Sequence, residues 1–213
     1  MDKLSECVLV IPARRWHMLG LPSGFTPATD AALSHLLDPQ FFDFRPRYEV
    51  ETDPSWLQLI PYQILTHNGD IWHYARGASG TETRLQSRGS VGIGGHIARE
   101  DSSDMHDVYD RGRLRELHEE VSIPEVLSES ILGMIYDPAT PVGEVHLGIV
   151  HRLNLKHPQV EAKEEGIVGR GFAGIDELLA DADRLESWSV LALGYLRGRF
   201  VPGVVGLPAS TPG

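Results

Sequence analysis

The sequence predicts an α/β sandwich with a mixed β-sheet, and three observations support this class. Strand-like segments outnumber helical ones, two of them form a hairpin pattern, and the few helices follow the strands without regular alternation. The chain has 213 residues, of which 41% are hydrophobic, so it can bury one substantial core. We expect a single domain over residues 1–200 and a flexible tail at 201–213.

The sequence of the N-terminal third predicts an added segment, here called the N-terminal elaboration, followed by a β-hairpin. Residues 1–50 contain a short apolar strand at 7–12 and a segment rich in Pro and Phe. Strand patterns at 57–65 and 71–75 then flank Asn68-Gly69, a dipeptide typical of two-residue turns between antiparallel strands. We therefore expect these two strands to pair with each other.

The middle of the chain predicts a glycine-rich strand, a polar loop and a helix. Pro61 favours an edge strand or a bulge within the hairpin, because proline cannot donate a ladder hydrogen bond. The glycine-rich strand spans 90–97, and the polar stretch 98–106 is typical of a loop. A helix is expected at about 107–121.

The last third predicts further strands and two helices. Strands at about 131–136 and 144–155 are separated by a turn at 137–143, which is rich in Pro and Gly. A short strand near 171–174 precedes a helix opened by Asp176. A final amphipathic helix is expected at about 186–197.

Three glutamates on the predicted helix indicate a metal site. Glu116, Glu119 and Glu120 have spacing i, i+3 and i+4, so they share one helix face. Clustered carboxylates repel one another unless a cation joins them, and an all-oxygen set suits Mg²⁺ or Mn²⁺. The opposite face is predicted to be buried, with the apolar residues Leu114, Leu117 and Val121.

The segment Arg115-Glu116-Leu117-His118-Glu119-Glu120 resembles the signature of the Nudix hydrolases. In that family a Gly is followed by five residues, a Glu, seven residues and then Arg-Glu-aliphatic-x-Glu-Glu-x-Gly-aliphatic. The second half matches here at every defined position except one, and Ile123 supplies the last aliphatic residue. The resemblance implies a Nudix-type α/β/α sandwich, with the signature region at 90–123.

Two departures from the signature concern the ends of this helix. Ser122 stands where the family has Gly. Asp107 lies eight residues before Arg115, where the family has Glu, and the glycine pair Gly94-Gly95 lies farther upstream than the signature allows. We interpret the extra residues as an insertion in the loop 98–106, which leaves the helix carboxylates intact.

The resemblance implies metal-dependent hydrolysis of a phosphoanhydride in a nucleoside diphosphate that is linked to another group. Glu116, Glu119 and Glu120 are the expected metal ligands, and Arg115 would act with them. A further acid from a later loop often assists in this family, and our candidates are Glu164 and Glu165. The sequence does not identify the attached group.

Side chains outside the helix are candidates for substrate contacts. Arg76, Arg84 and Arg88 precede the glycine-rich strand, and guanidinium groups bind phosphate in a two-point manner. His96 lies beside the glycines and is either a site residue or a structural one. His146 and His151, five residues apart on one strand, are expected to face opposite sides. The aromatic residues expected either to stack on a base or to fill the core are Trp56, Trp72 and Tyr74.

Composition excludes several classes of partner. The formal charge of −11 argues against a binder of nucleic-acid polymers or of anionic membranes. One cysteine, Cys7, allows no internal disulfide and no zinc cluster, so we expect the cytoplasm. No segment resembles a signal peptide or a membrane span. A homodimer is one option for the assembly state.

Two alternatives to hydrolysis stay open. The first is a module that keeps the fold and senses a nucleotide without turnover. The second is an enzyme of the isopentenyl-diphosphate isomerase type, which would need a cysteine in the pocket. Cys7 lies in the N-terminal strand and speaks against it.

Overall fold

A ten-stranded mixed β-sheet organises the part of the chain that the computed structural model describes, residues 6–76, 88–101 and 104–198. The tail predicted to be flexible, 201–213, lies outside these residues. The strands and helices in chain order are β1 (Cys7–Pro12), α1 (Arg14–His17), β2 (Gly24–Pro27), α2 (Asp30–Leu36), β3 (Asp43–Pro46), α3 (Arg47–Val50), β4 (Trp56–His67), β5 (Asp70–Arg76), β6 (Gly89–Ser90), β7 (Gly92–Gly94), α4 (Val108–Glu120), β8 (Val121–Ser122), β9 (Val126–Tyr136), α5 (Pro141–Glu144), β10 (His146–Leu155), β11 (Glu161–Ala162), β12 (Ile167–Ala173), α6 (Ile175–Ala180) and α7 (Ser187–Arg197).

The sheet combines parallel and antiparallel pairing. Its main path runs β12-β5-β4-β10-β9-β2; β1 and β7 also pair with β4, β3 pairs with β1, and β6 with β5. The β4–β10 pair is parallel, and the neighbouring β9–β10 and β4–β5 pairs are antiparallel. Strands β8 and β11 form a separate antiparallel pair. The predicted α/β class with a mixed sheet is confirmed.

Helices cover both faces of the sheet. Along β10, Leu147 and Ile149 pack in one cluster with Val108 of α4. Val150 packs in a different cluster with Leu193 of α7. Successive side chains of a strand point to opposite faces, so this alternation divides the core into two layers and gives the α/β/α sandwich.

The hairpin forms where the sequence predicts it. Asn68 and Gly69 both have positive φ, 51° and 93°, which a turn of type I′ requires at its two central residues. His67 pairs with Asp70 directly beside this turn, and Thr66 pairs with Ile71 next to them. Asn tolerates the left-handed region and Gly has no Cβ, so this dipeptide adopts the turn at little conformational cost.

The edge position inferred from Pro61 is wrong, because β4 is a central strand. Pro61 is paired with Ile149 of β10 on one side. The main-chain N–H of Gln58 donates to the Val145 carbonyl oxygen, just before β10. Successive main-chain nitrogens of a strand point to alternate flanks, so the nitrogen of Pro61, three residues later, points away from β10. On that flank, pairing with β1 ends at Gln58 and pairing with β7 begins at Tyr62. The missing N–H therefore falls in a gap between two partner strands.

The remaining elements agree with the predicted order but not always with the predicted bounds. The strand expected at 171–174 runs over Ile167–Ala173, and the start of the segment 144–155 belongs to helix α5. The N-terminal elaboration contributes β1 and β2 to the main sheet. Within the described residues, no helix is both long and apolar enough to cross a membrane.

Candidate active site

Helix α4 packs on the sheet through residues spaced by four, Tyr109, Arg113 and Leu117, each at most 8% exposed. The buried charge of Arg113 is paired, with its Nη2 atom 2.8 Å from Glu129 Oε1. Leu114 was predicted for this face, but it is 41% exposed. The buried side of α4 also includes Val108 and Gly112, each directly before a residue of this row. Leu114 follows Arg113, and a further step of about 100° turns it away from that side.

Arg115 is the centre of the polar network on the outer face of α4. Its Nη1 donates to Glu116 Oε1 at 2.8 Å and to Glu119 Oε2 at 3.0 Å. Its Nε and Nη2 both donate to the carboxylate of Asp101, and Nη2 also donates to the His96 carbonyl oxygen at 3.0 Å. One guanidinium thus connects two of the signature glutamates with the loop that follows β7.

Glu116 has a side chain that is only 15% exposed, and it rests against a glycine. A Cβ at Gly95 would lie 2.0 Å from Glu116 Oε2, so any side chain there would displace the carboxylate. Burial raises the pKa of Glu116 to about 7, against the opposing effect of the Arg115 charge. A Cβ at Gly94 would lie 2.8 Å from the Pro61 carbonyl oxygen, so β7 also approaches β4 closely.

The glutamates differ in exposure but present the same kind of ligand atom. The Glu119 side chain is 54% exposed, and Glu120 is half-buried at the end of the helix. A buried carboxylate with a raised pKa gains from a nearby cation. Carboxylate oxygens are the ligand type that a hard divalent ion such as Mg²⁺ or Mn²⁺ prefers, but those of Glu116, Glu119 and Glu120 do not all lie within 4.8 Å of one another in this structure. A bound ion would have to draw the three side chains together.

Asp101, rather than the predicted Asp107, takes the position of the signature acid and lies beside Arg115. Asp101 has a carboxylate that is 2% exposed and that also accepts the Ala98 N–H at 2.7 Å. Asp107 instead forms an exposed pair with Arg111, four residues along the helix. Counting forward from Gly95 could have found Asp101, because five residues separate the two, as the signature requires. The six extra residues therefore follow the acid rather than precede it.

The substitution of Ser for Gly after the helix has a simple structural explanation. Val121 is extended, with φ −140° and ψ 154°, so α4 passes directly into β8 without a left-handed residue. Ser122 pairs with Glu161 of β11. No glycine is needed at a helix end of this kind.

The loop that carries Glu164 and Glu165 lies next to the end of α4. Lys163 donates its main-chain N–H to the Glu120 carbonyl oxygen at 2.8 Å and its Nζ to the His118 carbonyl oxygen at 2.6 Å. Both glutamates that follow Lys163 are exposed. The fold thus brings this loop beside the signature helix, although it lies more than forty residues downstream.

Two of the three arginines predicted to bind phosphate lie within the described residues. Arg84 lies outside the described residues, and Arg76 is the last residue of β5. Arg88 is exposed and donates from Nη1 to the Leu185 carbonyl oxygen at 3.3 Å. Leu185 packs with α6 and α7, so this contact lies across the sheet from α4.

The histidines fall on two sides of the sheet. His151 contacts Tyr109 of α4, whereas the ring of His146 meets the ring of His96. The prediction that His146 and His151 face opposite sides therefore agrees with their contacts. Trp72 and Tyr74 are 2% and 1% exposed and stack on each other at 5.3 Å, so they are core residues.

Comparisons with known proteins address the family and the fold of the chain. No family model matches the chain. Protein YmaB of Bacillus subtilis (strain 168) is 37% identical over 156 residues, which cover 70% of this chain and 76% of that protein. The crystal structure of Tm1382, assigned provisionally to the Nudix hydrolases, has a TM-score of 0.76 and 26% identity over 92% of this chain and 100% of its own.

A third comparison concerns the fold alone. A bifunctional NMN adenylyltransferase/ADP ribose pyrophosphatase from Francisella tularensis has a TM-score of 0.50 and 14% identity, over 66% of this chain and 41% of its own. The signature on α4, the mixed sheet between helical layers and these likenesses agree with one another. The chain belongs to the Nudix hydrolase superfamily, in the group that includes Protein YmaB.

Proposed function

We propose that this protein is a metal-dependent pyrophosphohydrolase that cleaves a phosphoanhydride in a nucleoside diphosphate linked to another moiety. The observation that carries the proposal is the Glu116 carboxylate, enclosed by Gly95 and held by Arg115 beside Glu119. An exposed surface glutamate has neither such a glycine nor such a clamp. The Francisella neighbour was crystallised with AMP and a manganese ion, which are ligands of the proposed class.

Glu116, Glu119 and Glu120 would hold Mg²⁺ or Mn²⁺ in this proposal. When bound, such an ion lowers the pKa of a coordinated water and neutralises charge that develops on the phosphate oxygens. Glu116 has its position set by Gly95 on one side and by Arg115 on the other. A carboxylate that is already oriented needs little rearrangement before it binds a cation.

Arg115 acts as a positioning residue. Asp101 binds two of its guanidinium nitrogens, so the third is directed at Glu116 and Glu119. The hydrogen bond with Asp101 raises the pKa of Arg115, so the group stays cationic at every pH at which the enzyme would act. This fixed charge lowers the repulsion between the two glutamates.

The proton of the attacking water needs a carboxylate as its acceptor. Glu120 at the helix end and the pair Glu164 and Glu165 in the adjoining loop are the candidates, because Lys163 joins that loop to α4. Of the three candidate arginines, Arg76 and Arg84 keep the proposed role of binding the two phosphates, whereas Arg88 contacts the Leu185 carbonyl oxygen across the sheet from α4. The cytoplasm and a homodimer stay our predictions for location and assembly.

The test is turnover of a panel of dinucleoside polyphosphates, nucleotide sugars, NADH, ADP-ribose and nucleoside triphosphates, with Mg²⁺ or Mn²⁺. We expect turnover of at least one compound that needs the metal and falls by more than about 100-fold in Glu119→Gln and Glu120→Gln. The matched control is Glu125→Gln, an exposed carboxylate paired with Lys156, which should retain wild-type rates.

Two outcomes would contradict the proposal. Equal rates in the wild type and Glu120→Gln would remove Glu120 from the site. Tight binding of one panel compound without turnover would favour the nucleotide-sensing module instead. Circular dichroism of each variant separates loss of activity from loss of fold.

A further inference from the structure

We propose that Glu51, His96 and His146 form a second metal site, for a transition-metal ion of the zinc class. One ligand atom from each of the three residues lies within 4.8 Å of the others. They come from three separate parts of the fold: the residue after α3, the residue two after β7, and the first residue of β10. The inference does not depend on the hydrolase activity proposed above.

The cluster lies on the face of the sheet opposite to α4. On β10, Leu147 packs in the cluster that contains Val108 of α4. Gly148 approaches Trp188 of α7 instead, since a Cβ there would lie 2.7 Å from its ring. His146 shares the face of Gly148 by alternation. These residues are therefore distinct from the signature glutamates.

The distance between the two imidazole nitrogens matches that between two nitrogen ligands of one metal ion. His96 Nε2 and His146 Nε2 are 3.3 Å apart. Two nitrogens that bind tetrahedral zinc at about 2.05 Å are separated by about 3.3 Å, the edge of the tetrahedron. His146 Nδ1 is 2.6 Å from the Val142 carbonyl oxygen, an atom that can only accept a hydrogen bond. Nδ1 is therefore the protonated nitrogen of neutral His146, and its Nε2 presents a lone pair.

The carboxylate of Glu51 is oriented as well. Arg47 Nε donates to Glu51 Oε1 at 2.8 Å, and both side chains are less than a quarter exposed. Metal-binding carboxylates commonly receive such an outer hydrogen bond. Two imidazole nitrogens and one carboxylate oxygen are the ligands of open zinc sites, whereas Mg²⁺ and Ca²⁺ prefer oxygen alone.

Gln58 gives independent evidence that a ligand belongs here. Its side chain is fully buried, yet among the described residues neither its amide oxygen nor its amide nitrogen has a hydrogen-bond partner. Gln58 is the parallel-strand partner of His146, so the two side chains lie next to each other on one face. Burying an unpaired amide is costly. A metal ion with its bound water would give this amide a partner at the fourth position of the site.

The site would join the N-terminal elaboration to the signature loop. His96 follows Gly95 directly, and its carbonyl oxygen accepts a hydrogen bond from Arg115 at 3.0 Å. An ion held by the His96 imidazole and by Glu51 would therefore restrain the loop on which the Glu116 carboxylate rests. Glu51 is the residue that follows the N-terminal elaboration, and Arg47 within that segment holds its carboxylate, so the site would tie residues 1–50 to this loop.

The test uses full-length protein that has been stripped by a chelator and then titrated with Co²⁺, a coloured substitute for Zn²⁺. Glu119→Gln/Glu120→Gln serves as the background, so that the signature glutamates do not hold the probe. We expect one equivalent of Co²⁺ with the intense visible absorption of a four-coordinate ion, displaced by Zn²⁺ but not by excess Mg²⁺. His96→Ala should weaken binding by more than about 100-fold, and Glu51→Gln by at least about tenfold.

The control is His157→Ala, which removes an exposed histidine and should leave binding unchanged. His96 is only half-buried, so the test does not rely on the buried His146, whose removal could impair folding. Unchanged Co²⁺ affinity in a folded His96→Ala variant would overturn the proposal and indicate adventitious surface binding. Absence of the absorption in the folded background protein would overturn it too, and leave a hydrogen-bonded histidine pair.

Discussion

Asp101 and Arg115, fourteen residues apart, form a two-point ion pair in which the carboxylate is almost completely buried. The same guanidinium contacts Glu116 and Glu119. The loop after β7 thereby controls the side chain that sets the positions of the signature glutamates.

Asp101→Asn should destabilise the protein and reduce turnover, whereas Asp107→Asn should do neither. Removing the Asp101 charge leaves the partly buried Arg115 without its main partner, which we expect to cost about 2 kcal/mol in the free energy of unfolding. The exposed pair of Asp107 with Arg111 should contribute less than about 0.5 kcal/mol. Urea denaturation of both variants measures this difference. Equal losses of stability in the two variants would contradict the role of Asp101 as the buried partner of Arg115.

Gly95→Ala should abolish most of the proposed activity while the fold survives. The added methyl group would lie 2.0 Å from Glu116 Oε2, so the carboxylate must move away from its present position. We expect Mn²⁺ binding to weaken together with turnover. Gly194→Ala in α7 is the control, because a Cβ there meets no atom within 4 Å, and it should stabilise the helix by about 0.5–1 kcal/mol. Normal Mn²⁺ affinity in Gly95→Ala would contradict the role of this close approach.

Truncation of two leucines tests the corrected helix face. Leu117 is 1% exposed and Leu114 is 41% exposed. Leu117→Ala should cost about 3 kcal/mol, through lost burial and a cavity under α4, and Leu114→Ala less than about 1 kcal/mol. Thermal and chemical denaturation give both values. A larger loss of stability in Leu114→Ala than in Leu117→Ala would contradict the helix face seen in the structure and support burial of Leu114.

His151 should make the protein sensitive to acid. Burial lowers the pKa of His151 below its ordinary value of 6.5, although a hydrogen bond with Glu129 opposes the shift. The Glu129 carboxylate can only accept, so Nδ1 of neutral His151 donates to it and Nε2 accepts from the Tyr109 hydroxyl, 2.9 Å away. Protonation of Nε2 removes this last interaction.

The sign of the pH effect follows from where the proton binds. Below pH 6.5 unfolded His151 takes up a proton that folded His151 resists, so the contribution of His151 to the free energy of unfolding falls as the pH falls through this window. The raised pKa of Glu116 acts in the opposite direction, so the effect of His151 is read from the difference between the variant and the wild type. His151→Gln should reduce this slope, and His157→Gln at an exposed position should not. Denaturation midpoints across the acid range provide the measurement, and an unchanged slope in His151→Gln would disprove the assignment.

The sequence alone was sufficient for features whose physical cause is local. Asn68-Gly69 forms a turn because of its own conformational preferences, and the spacing of Glu116, Glu119 and Glu120 follows from the helical repeat. The fold class was predictable for the same reason, since strand and helix patterns are encoded within short windows. The resemblance to the Nudix signature also rested on residues that are adjacent in sequence.

The tertiary structure decided everything that depends on which segments meet. Asp101 rather than Asp107 reaches Arg115 because the loop after β7 folds back over α4, and the extra residues lie after the acid. The central position of Pro61 arises because two short strands share one flank of β4 and leave a gap. His96 and His146, fifty residues apart, meet only because β7 and β10 both lie beside β4. Side-chain spacing along the chain determines which residues share a face, but the pairing of distant strands determines which faces come together.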